Sequence, residues 1–405
     1  EARKTRTERF VERFARVYTP AVTLAAVLTV ALPVLLFDGS FGVWFTRGLT
    51  LLVIACPCAL VISTPVAVVS GVTAAARHGV LIKGGRYLEA FGQVRAVALD
   101  KTGTLTFGRP QVAEMRLERG REGEAARLLA SVAALEDRSE HPVARAIVEH
   151  LRGRSLEPAG PVADFEAVPG RGARGTVDGR HLVVGSPTFA APDQPLPEGW
   201  ADQPGSVAVA VEEGRVVAWF RVADRTRASA AAHLRQLRER GIERLVMLTG
   251  DAQAPAEAVA RELGVDEVRW GLLPEQKVAA VEELGRMHGP VAMVGDGVND
   301  APALAAASVG VVMGAAGSDA ALETADIALM GDDLSRLAYV RSLSQEAVRV
   351  IRTNIVLALG VKAVLAVGVP MGAVSLITAV LVGDMGVSLA VTVNALRLAR
   401  VDADG

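Results

Sequence analysis

Charged residues are missing from two long stretches of this chain, reduced to one in each of two more, and crowded between them. Tyr18–Phe37 is 20 residues without a charge, Gly48–Ala76 is 29, and further apolar stretches run at about 353–369 and 372–396. A helix rising 1.5 Å per residue needs about 20 apolar residues to cross the hydrocarbon of a bilayer. The pattern therefore predicts membrane-spanning helices at about 18–37, 48–76, 353–369 and 372–396, the second of them long or broken. A short polar stretch around Asp38-Gly39-Ser40 joins the first pair, and the last pair forms a hairpin around Pro370-Met371-Gly372. A pair of buried soluble helices is the other reading of that hairpin.

From Arg77 to about Gln345 the period changes. Residues 94–107 read as one strand and its loop, and 216–331 as several strand–helix repeats. Arg244-Leu-Val-Met-Leu-Thr-Gly-Asp251 and Pro290-Val-Ala-Met-Val-Gly-Asp296 are short apolar strands that end in Gly-Asp and run into helices. That is the signature of a parallel α/β sheet with its active site at the carboxyl ends of the strands. Residues of about 110–220 show a helical start and then short strands with Gly/Pro turns, as in a domain inserted into the α/β one. The expected organisation is two spans with their flanks (1–92), an α/β domain in two parts (93–109 and 221–340), the insert (110–220) and two further spans (341–405).

Basic residues flank the apolar stretches at 3–16, 77–95, 341–352 and 397–400, whereas the two short opposite loops carry only Arg47. By the positive-inside rule both ends and the large polar region are cytoplasmic. Composition fits a membrane enzyme: the chain is 51% hydrophobic yet 22% charged, with a mean hydropathy of +0.33. A net charge of −2 gives no sign of a nucleic-acid partner. The only cysteines, Cys56 and Cys58, stand too close together to suggest a structural disulfide framework.

Candidate chemistry begins at Asp100-Lys-Thr-Gly-Thr-Leu-Thr106, which follows the apolar run Val94, Ala96, Val97, Ala98, Leu99. A strand feeding a glycine turn presents a carboxylate nucleophile and several backbone N–H groups to one phosphate-sized spot. Lysine usage sharpens the choice. Among 43 basic residues only five are Lys, and Lys101, Lys277 and Lys362 all fall in suggestive places. Asp296 together with Asp100 offers the oxygen ligands that Mg²⁺ prefers. In the middle of the 29-residue apolar stretch stands Ala55-Cys-Pro-Cys-Ala59. Proline there frees a backbone carbonyl, and two flanking thiols suit a soft or borderline cation. Lys362 and Asp384 are charges inside the final hairpin, where each would cost roughly 2.5–3.5 kcal/mol if left alone at the bilayer centre.

The Asp100–Thr106 segment resembles the phosphorylation motif of the P-type ATPases, pumps that pass through an aspartyl-phosphate. Thr249-Gly-Asp251 and Gly295-Asp-Gly-Val-Asn-Asp300 match the same family, and Cys-Pro-Cys in this position is the signature of its heavy-metal class. The resemblance implies a haloacid-dehalogenase-like, Rossmann-like α/β phosphorylation domain with an inserted α+β nucleotide-binding domain and an α-helical transmembrane region. It implies that Asp100 is phosphorylated, with Lys101, Thr102, Thr249, Gly250, Asp251, Lys277, Asn299 and Asp300 in the phosphoryl-transfer site. The backbone carbonyl of Thr102 joins Asp100 and Asp296 as a Mg²⁺ ligand. In the phosphatases of the wider superfamily an Asp two positions after the nucleophile acts as acid and base. Thr102 stands there instead, so water attacks the phosphorylated Asp slowly.

Within the insert, Glu136 and His141 match the family's adenine-binding pair in Glu136-Asp-Arg-Ser-Glu-His-Pro142. Gly170 and Gly172 belong to Gly170-Arg-Gly-Ala-Arg-Gly175, a G-x-G-x-x-G without a parallel strand–helix unit around it, so a dinucleotide fold is not expected. Gly185 fits a further family glycine, followed by Ser186-Pro187 where Asn is usual, and Asp224 with Arg227 matches a D-x-x-R at the hinge. ATP and Mg²⁺ are the implied cofactors.

For the cargo, Cys56, Cys58 and Asp384 with Lys362 resemble the Zn²⁺/Cd²⁺/Pb²⁺ branch, Lys362 serving as internal countercharge. The expected function is ATP-driven export of such a cation from a plasma-membrane location. Two alternatives remain open, a Cu⁺-transporting pump and a membrane-anchored phosphatase. No Thr-Gly-Glu actuator loop occurs, so the chain reads as a carboxyl-terminal fragment whose amino-terminal half, with further spans, is a missing partner.

Overall fold

The computed structural model describes residues 6–200, 203, 205–297, 300–314, 323–331 and 333–401. The chain divides into two compact units. One comprises Glu1–Val97, Arg235–Glu243 and Val278–Gly405, the other Ala98–Leu234 and Arg244–Lys277, so the division runs through the strand Ala96–Asp100.

In the first unit, four helical stretches are long and apolar enough to cross a membrane: Arg13–Leu36, Phe41–Arg77, Ser335–Gly368 and Leu376–Arg400. Their outward faces carry exposed Leu35, Leu36, Val364 and Val367, the arrangement that lipid solvates and water does not. Inward faces are small. Ala26, Leu51, Ile54, Val369 and Ala379 form one buried cluster, and Ala59, Ala358, Val387 and Val391 another. Small side chains bring backbones close, which is how helices gain dispersion contact in a medium as apolar as themselves. Gly383 is such a contact, since a Cβ there would stand 2.7 Å from Leu365.

The second apolar stretch is broken. One helix, Phe41–Ile54, stops short of Pro57, and another, Cys58–Arg77, starts after it. Arg47 lies inside the first of these, where it donates to the carbonyl of Pro370 (3.0 Å) in the opposite turn. The first basic-flanked helix of the hairpin is continuous through its polar entrance, a single 34-residue element, Ser335–Gly368.

Beyond the helices, the first unit carries the parallel strands Val291–Gly295, Val309–Val312 and Ile327–Leu329, with Val80–Ile82 added antiparallel at Leu329. The three parallel strands are buried at every position, as continuous apolar runs in a sheet covered on both faces must be.

The second unit contains a six-stranded antiparallel sheet with helices packed against it. In spatial order the strands are Thr106–Leu117, Arg215–Thr226, Ser206–Glu212, Arg180–Gly185, Gly172–Val177 and Val162–Val168. Helices Ala125–Glu136 and Pro142–Arg152 share a core with them through Leu128, Val132, Leu135, Ile147, Val217 and Phe220. The insert therefore opens on a strand, where the pattern around 110 pointed to a helix. Long-range pairing overrides local period: Thr106–Leu117 follows Arg215–Thr226 from Thr106↔Thr226 to Leu117↔Ala218, through two irregularities that blur its alternation. Both expected edges of the insert, 110 and 220, fall inside this one ladder. The glycine run at 170–175 lies on antiparallel strands, as expected for a segment outside a dinucleotide fold. The same unit holds Arg244–Leu248 paired in parallel with Glu267–Arg269.

Three membrane helices are tied together by a buried polar chain. Asn354, 1% exposed, donates to Ser63 Oγ (2.8 Å) and to the Val391 carbonyl (3.0 Å), and its own Oδ1 accepts from Asn394 (2.8 Å). Asn354→Leu removes three hydrogen bonds. At an average of about 0.6 kcal/mol each within a membrane, it should destabilise the bundle by about 2 kcal/mol. Thermal unfolding of the detergent-solubilised chain should show a clearly lowered midpoint, with a smaller drop for Asn394→Leu. A midpoint equal to that of the parent in both variants would mean that the chain of amides carries no load.

Candidate functional site

Asp100 ends a strand buried at all five positions, and its carboxylate is 5% exposed. Lys277, also buried, donates from Nζ to Asp100 Oδ1 at 2.5 Å. A carboxylate at this depth keeps its charge only with a cation beside it, and lysine supplies a point charge that leaves the second oxygen to other partners. Lys101, the next residue, pairs instead with Asp251, whose backbone N–H is held by Thr249 Oγ1 (3.1 Å). The motif residues thus form two neighbouring acid–lysine pairs, both within the second unit.

The turn after Asp100 has Thr102 at φ −77°, ψ 127° and Gly103 at φ 73°, ψ −8°, the geometry of a type II turn. Gly103 is required at the left-handed position. The loop is clamped from the far end of the insert. Asp224 accepts from Thr106 Oγ1 (2.5 Å) and from the backbone N–H groups of Gly108 (3.1 Å) and Arg109 (3.2 Å). Arg227, 5% exposed, donates to the carbonyls of Thr104 (2.9 Å) and Gly103 (3.3 Å). Neither side chain lines the cavity of the insert. Both side chains here hold the loop that follows Asp100.

Asp296 and Asp300 belong to the first unit, where Asp296 follows the strand Val291–Gly295 and Asp300 is 1% exposed. Gly295 leaves room for Asp300, whose Oδ2 would stand 2.8 Å from a Cβ at that position. Asn299 lies outside the described residues.

The insert holds a cavity of about 580 Å³ lined by Glu136, His141, Gly170, Gly172 and Gly185 among others. His141 caps the helix Pro142–Arg152, its Nδ1 accepting from the Val143 N–H (3.2 Å), which leaves Nε2 as the donor. Glu136 is 5% exposed and its Oε1 has no hydrogen-bond partner among the described residues. Burial pushes its carboxyl up to about 8. Gly172 and Gly185 face each other in register, and a Cβ on Gly172 would meet the Val184 carbonyl at 2.2 Å. These two glycines let two strands close on one another beside the cavity. Gly170 (φ 71°) instead turns the chain, with open space around it.

In the membrane part, the ligand atoms of Cys56, Cys58 and Asp384 lie within 4.8 Å of one another. The two cysteines are joined by a disulfide, contrary to the expectation of two separate thiols. With only Pro57 between them the bond closes a minimal loop, so it adds little to a structural framework. Reduction is the condition for both sulfurs to act as thiolate ligands. Lys362, 4% exposed, donates to the carbonyls of Ile54 (3.0 Å) and Cys56 (2.6 Å) and stands 3.8 Å from Asp384 Oδ1. Asp384 sits in a π-helical turn, Ala379–Gly386, a distortion frequent at functional sites. The carbonyl partners of Lys362 and the Asn354–Asn394–Ser63 chain escaped the sequence reading. Rarity of Asn (three in 405 residues) was the one signal that marked the latter.

With this geometry in hand, the comparisons are specific. The profile of haloacid dehalogenase-like hydrolases matches residues 94–308. The "Probable cadmium-transporting ATPase" of Listeria monocytogenes is 42% identical over 405 residues, 97% of this chain and 56% of that protein. The "Zinc/cadmium/lead-transporting P-type ATPase" of Escherichia coli (strain K12) is 44% identical over 408 residues, 99% of this chain and 54% of that protein. A crystal structure of a zinc-transporting PIB-type ATPase in the E2.Pi state superposes with a TM-score of 0.86 at 42% identity, over 98% of this chain and 65% of that one. The chain spans about half the length of the curated relatives it matches.

Glu136 makes stability depend on pH. Its carboxyl titrates at 4.5 when unfolded and at about 8 when folded, so between these values only the folded chain holds the proton. The contribution is full below the lower value and is lost as pH rises through the upper one. Urea midpoints followed by tryptophan fluorescence should fall across that window, and Glu136→Gln should flatten the slope. An equal slope in Glu136→Gln would assign the dependence to other groups.

Proposed function

The chain belongs to the haloacid dehalogenase-like hydrolases, and on that premise we propose that it is part of a heavy-metal P-type ATPase and carries the phosphorylation, nucleotide-binding and ion-binding parts of an ATP-driven exporter of Zn²⁺, Cd²⁺ or Pb²⁺. The observation that carries this reading is the meeting of Cys56, Cys58 and Asp384 at the break of an apolar helix. A membrane-anchored phosphatase has no use for such a cluster. Two thiolates with a carboxylate suit a divalent borderline cation better than Cu⁺, which favours thiol and thioether donors.

In the proposed cycle Asp100 attacks the terminal phosphorus of ATP, a new O–P bond forming at its carboxylate as the bond to the departing ADP breaks. Lys277 offsets charge at the attacking oxygen, and the Lys101–Asp251 pair keeps a second lysine beside the loop. Asp224 and Arg227 hold the loop so that Asp100 stays aimed. Mg²⁺ would neutralise charge on the phosphates, with the Asp100 carboxylate and the Thr102 carbonyl among the hard oxygen donors that would hold it. The insert cavity is of a size to bury a nucleobase, with Glu136 and His141 Nε2 as polar groups to orient it. Thr102, in place of an acid–base Asp, supports slow hydrolysis of phosphorylated Asp100.

At the membrane site, Lys362 beside Asp384 competes with the cargo for the carboxylate, which supports a role as built-in countercharge for release. The large polar region is assigned to the cytoplasm and the four apolar stretches to a plasma membrane.

Two measurements on the chain test the reading. Incubation with γ-³²P-labelled ATP and Mg²⁺ should give an acid-stable, hydroxylamine-sensitive label that Asp100→Asn abolishes; undiminished label in that variant removes the central claim. After reduction, Cd²⁺ should produce a thiolate charge-transfer band in detergent. Cys56→Ser and Cys58→Ser should lose the band, and Asp384→Ala should weaken binding roughly tenfold or more. Equal Cd²⁺ affinity in all three variants would exclude the cluster as the cargo site.

A further inference from the structure

Where the apolar parts of Ser335–Gly368 and Leu376–Arg400 give way to charge, a cavity of about 650 Å³ opens beside the two helix ends. Arg349, Arg397 and Arg400 line it with a single carboxylate, Glu346, leaving the lining two charges positive. Its remaining wall includes Val350 and Leu398, both buried and apolar.

The arginines here differ from their neighbours. Arg341, more than two turns before Arg349 on the same helix, is consumed by the fold, donating to the carbonyls of Phe91 (2.5 Å) and Arg240 (3.1 Å). Arg240 in turn donates to Ser342. By contrast, Arg397 and Arg400 have no carboxylate partner among the described residues, and Arg397 reaches only Asn394 Oδ1 at 3.4 Å. Arg349 pairs with Glu346 one turn away, yet its side chain is 72% exposed. The three guanidinium groups are thus gathered over an apolar wall, with donors to spare, at the level where lipid head groups lie. Guanidinium forks match phosphate oxygens, and basic pockets between membrane helices on the cytoplasmic side attract anionic lipid.

We propose that this cavity binds the phosphate of an anionic lipid head group, with Arg397 and Arg400 as its principal donors and the Val350–Leu398 wall against the glycerol end. Such a lipid would bridge the last two membrane helices at their cytoplasmic ends. The site uses no residue of the phosphoryl-transfer or cargo sites, so it stands whether or not the proposed function does.

The test uses the 405-residue chain in phosphatidylcholine nanodiscs doped with photo-crosslinking phosphatidylglycerol. Adducts should concentrate on the two segments that line the cavity. The double variant Arg397→Gln, Arg400→Gln should reduce them roughly tenfold or more, while Arg397→Lys, Arg400→Lys retains most of the yield. Circular dichroism of the variants checks that the helices persist. Equal adduct yield from a phosphatidylcholine photolipid, or an unchanged yield in the Gln variant, overturns the proposal. Displacement of the adduct by millimolar inorganic phosphate would identify the occupant as soluble phosphate and reject the lipid.

Discussion

A carbonyl without a donor is expensive in hydrocarbon, and the membrane part of this protein is arranged around that constraint. Pro57 cannot continue the helix, so the run ending at Ile54 leaves acceptors open in the middle of an apolar stretch. Lys362 closes two of them, at Ile54 and Cys56, and so is drawn to the break from a helix some 300 positions along the chain. Once that cation is buried, Asp384 beside it is the natural companion charge. The sulfurs of Cys56 and Cys58 sit within reach of the same carboxylate because they flank the same proline. One break in a helix thereby gathers a lysine, an aspartate and two sulfurs at one place.

A comparable economy governs the nucleophile. Asp100 is rigid from behind, where its strand is buried at every position, and from the side, where Lys277 holds one oxygen. What could have been loose is the turn after it. That turn is fastened by the returning chain, since Asp224 takes three hydrogens from Thr106, Gly108 and Arg109, and Arg227 covers two carbonyls. The insert between Thr106 and Thr226 is therefore closed at its base by the groups that position the reactive carboxylate. Removing those contacts would loosen the nucleophile and the root of the insert together.

The insert is built on burial of polar groups of opposite fate. Glu212 is 3% exposed and satisfied by Arg127 at 2.9 and 3.1 Å, which holds its carboxyl below the usual range. Glu136 is equally buried and lacks a cation, so its carboxyl rises. The first acid fastens a helix to the sheet. The second is left open at a cavity wall, where a ligand can supply what the protein withholds.

Much was legible in the order of residues alone. Apolar length marked the long helices, basic flanks pointed to their orientation, and Gly-Asp strand ends marked the α/β part, because each signal is local or compositional. Short motifs likewise marked Asp100, Cys56-Pro57-Cys58 and Glu136 with His141 as candidate residues. Other features depended on distant returns of the chain. The strand Thr106–Leu117 exists because Arg215–Thr226 lies beside it, and its own period was too irregular to announce it. Asp224 and Arg227 became loop clamps only when the insert closed. Lys362 could be marked as a charge in an apolar run, but its carbonyl partners lie 308 and 306 residues away, a pairing that no local pattern encodes. Short-range preferences are written in neighbouring side chains, whereas which buried donor meets which buried acceptor is decided only when the whole chain has packed.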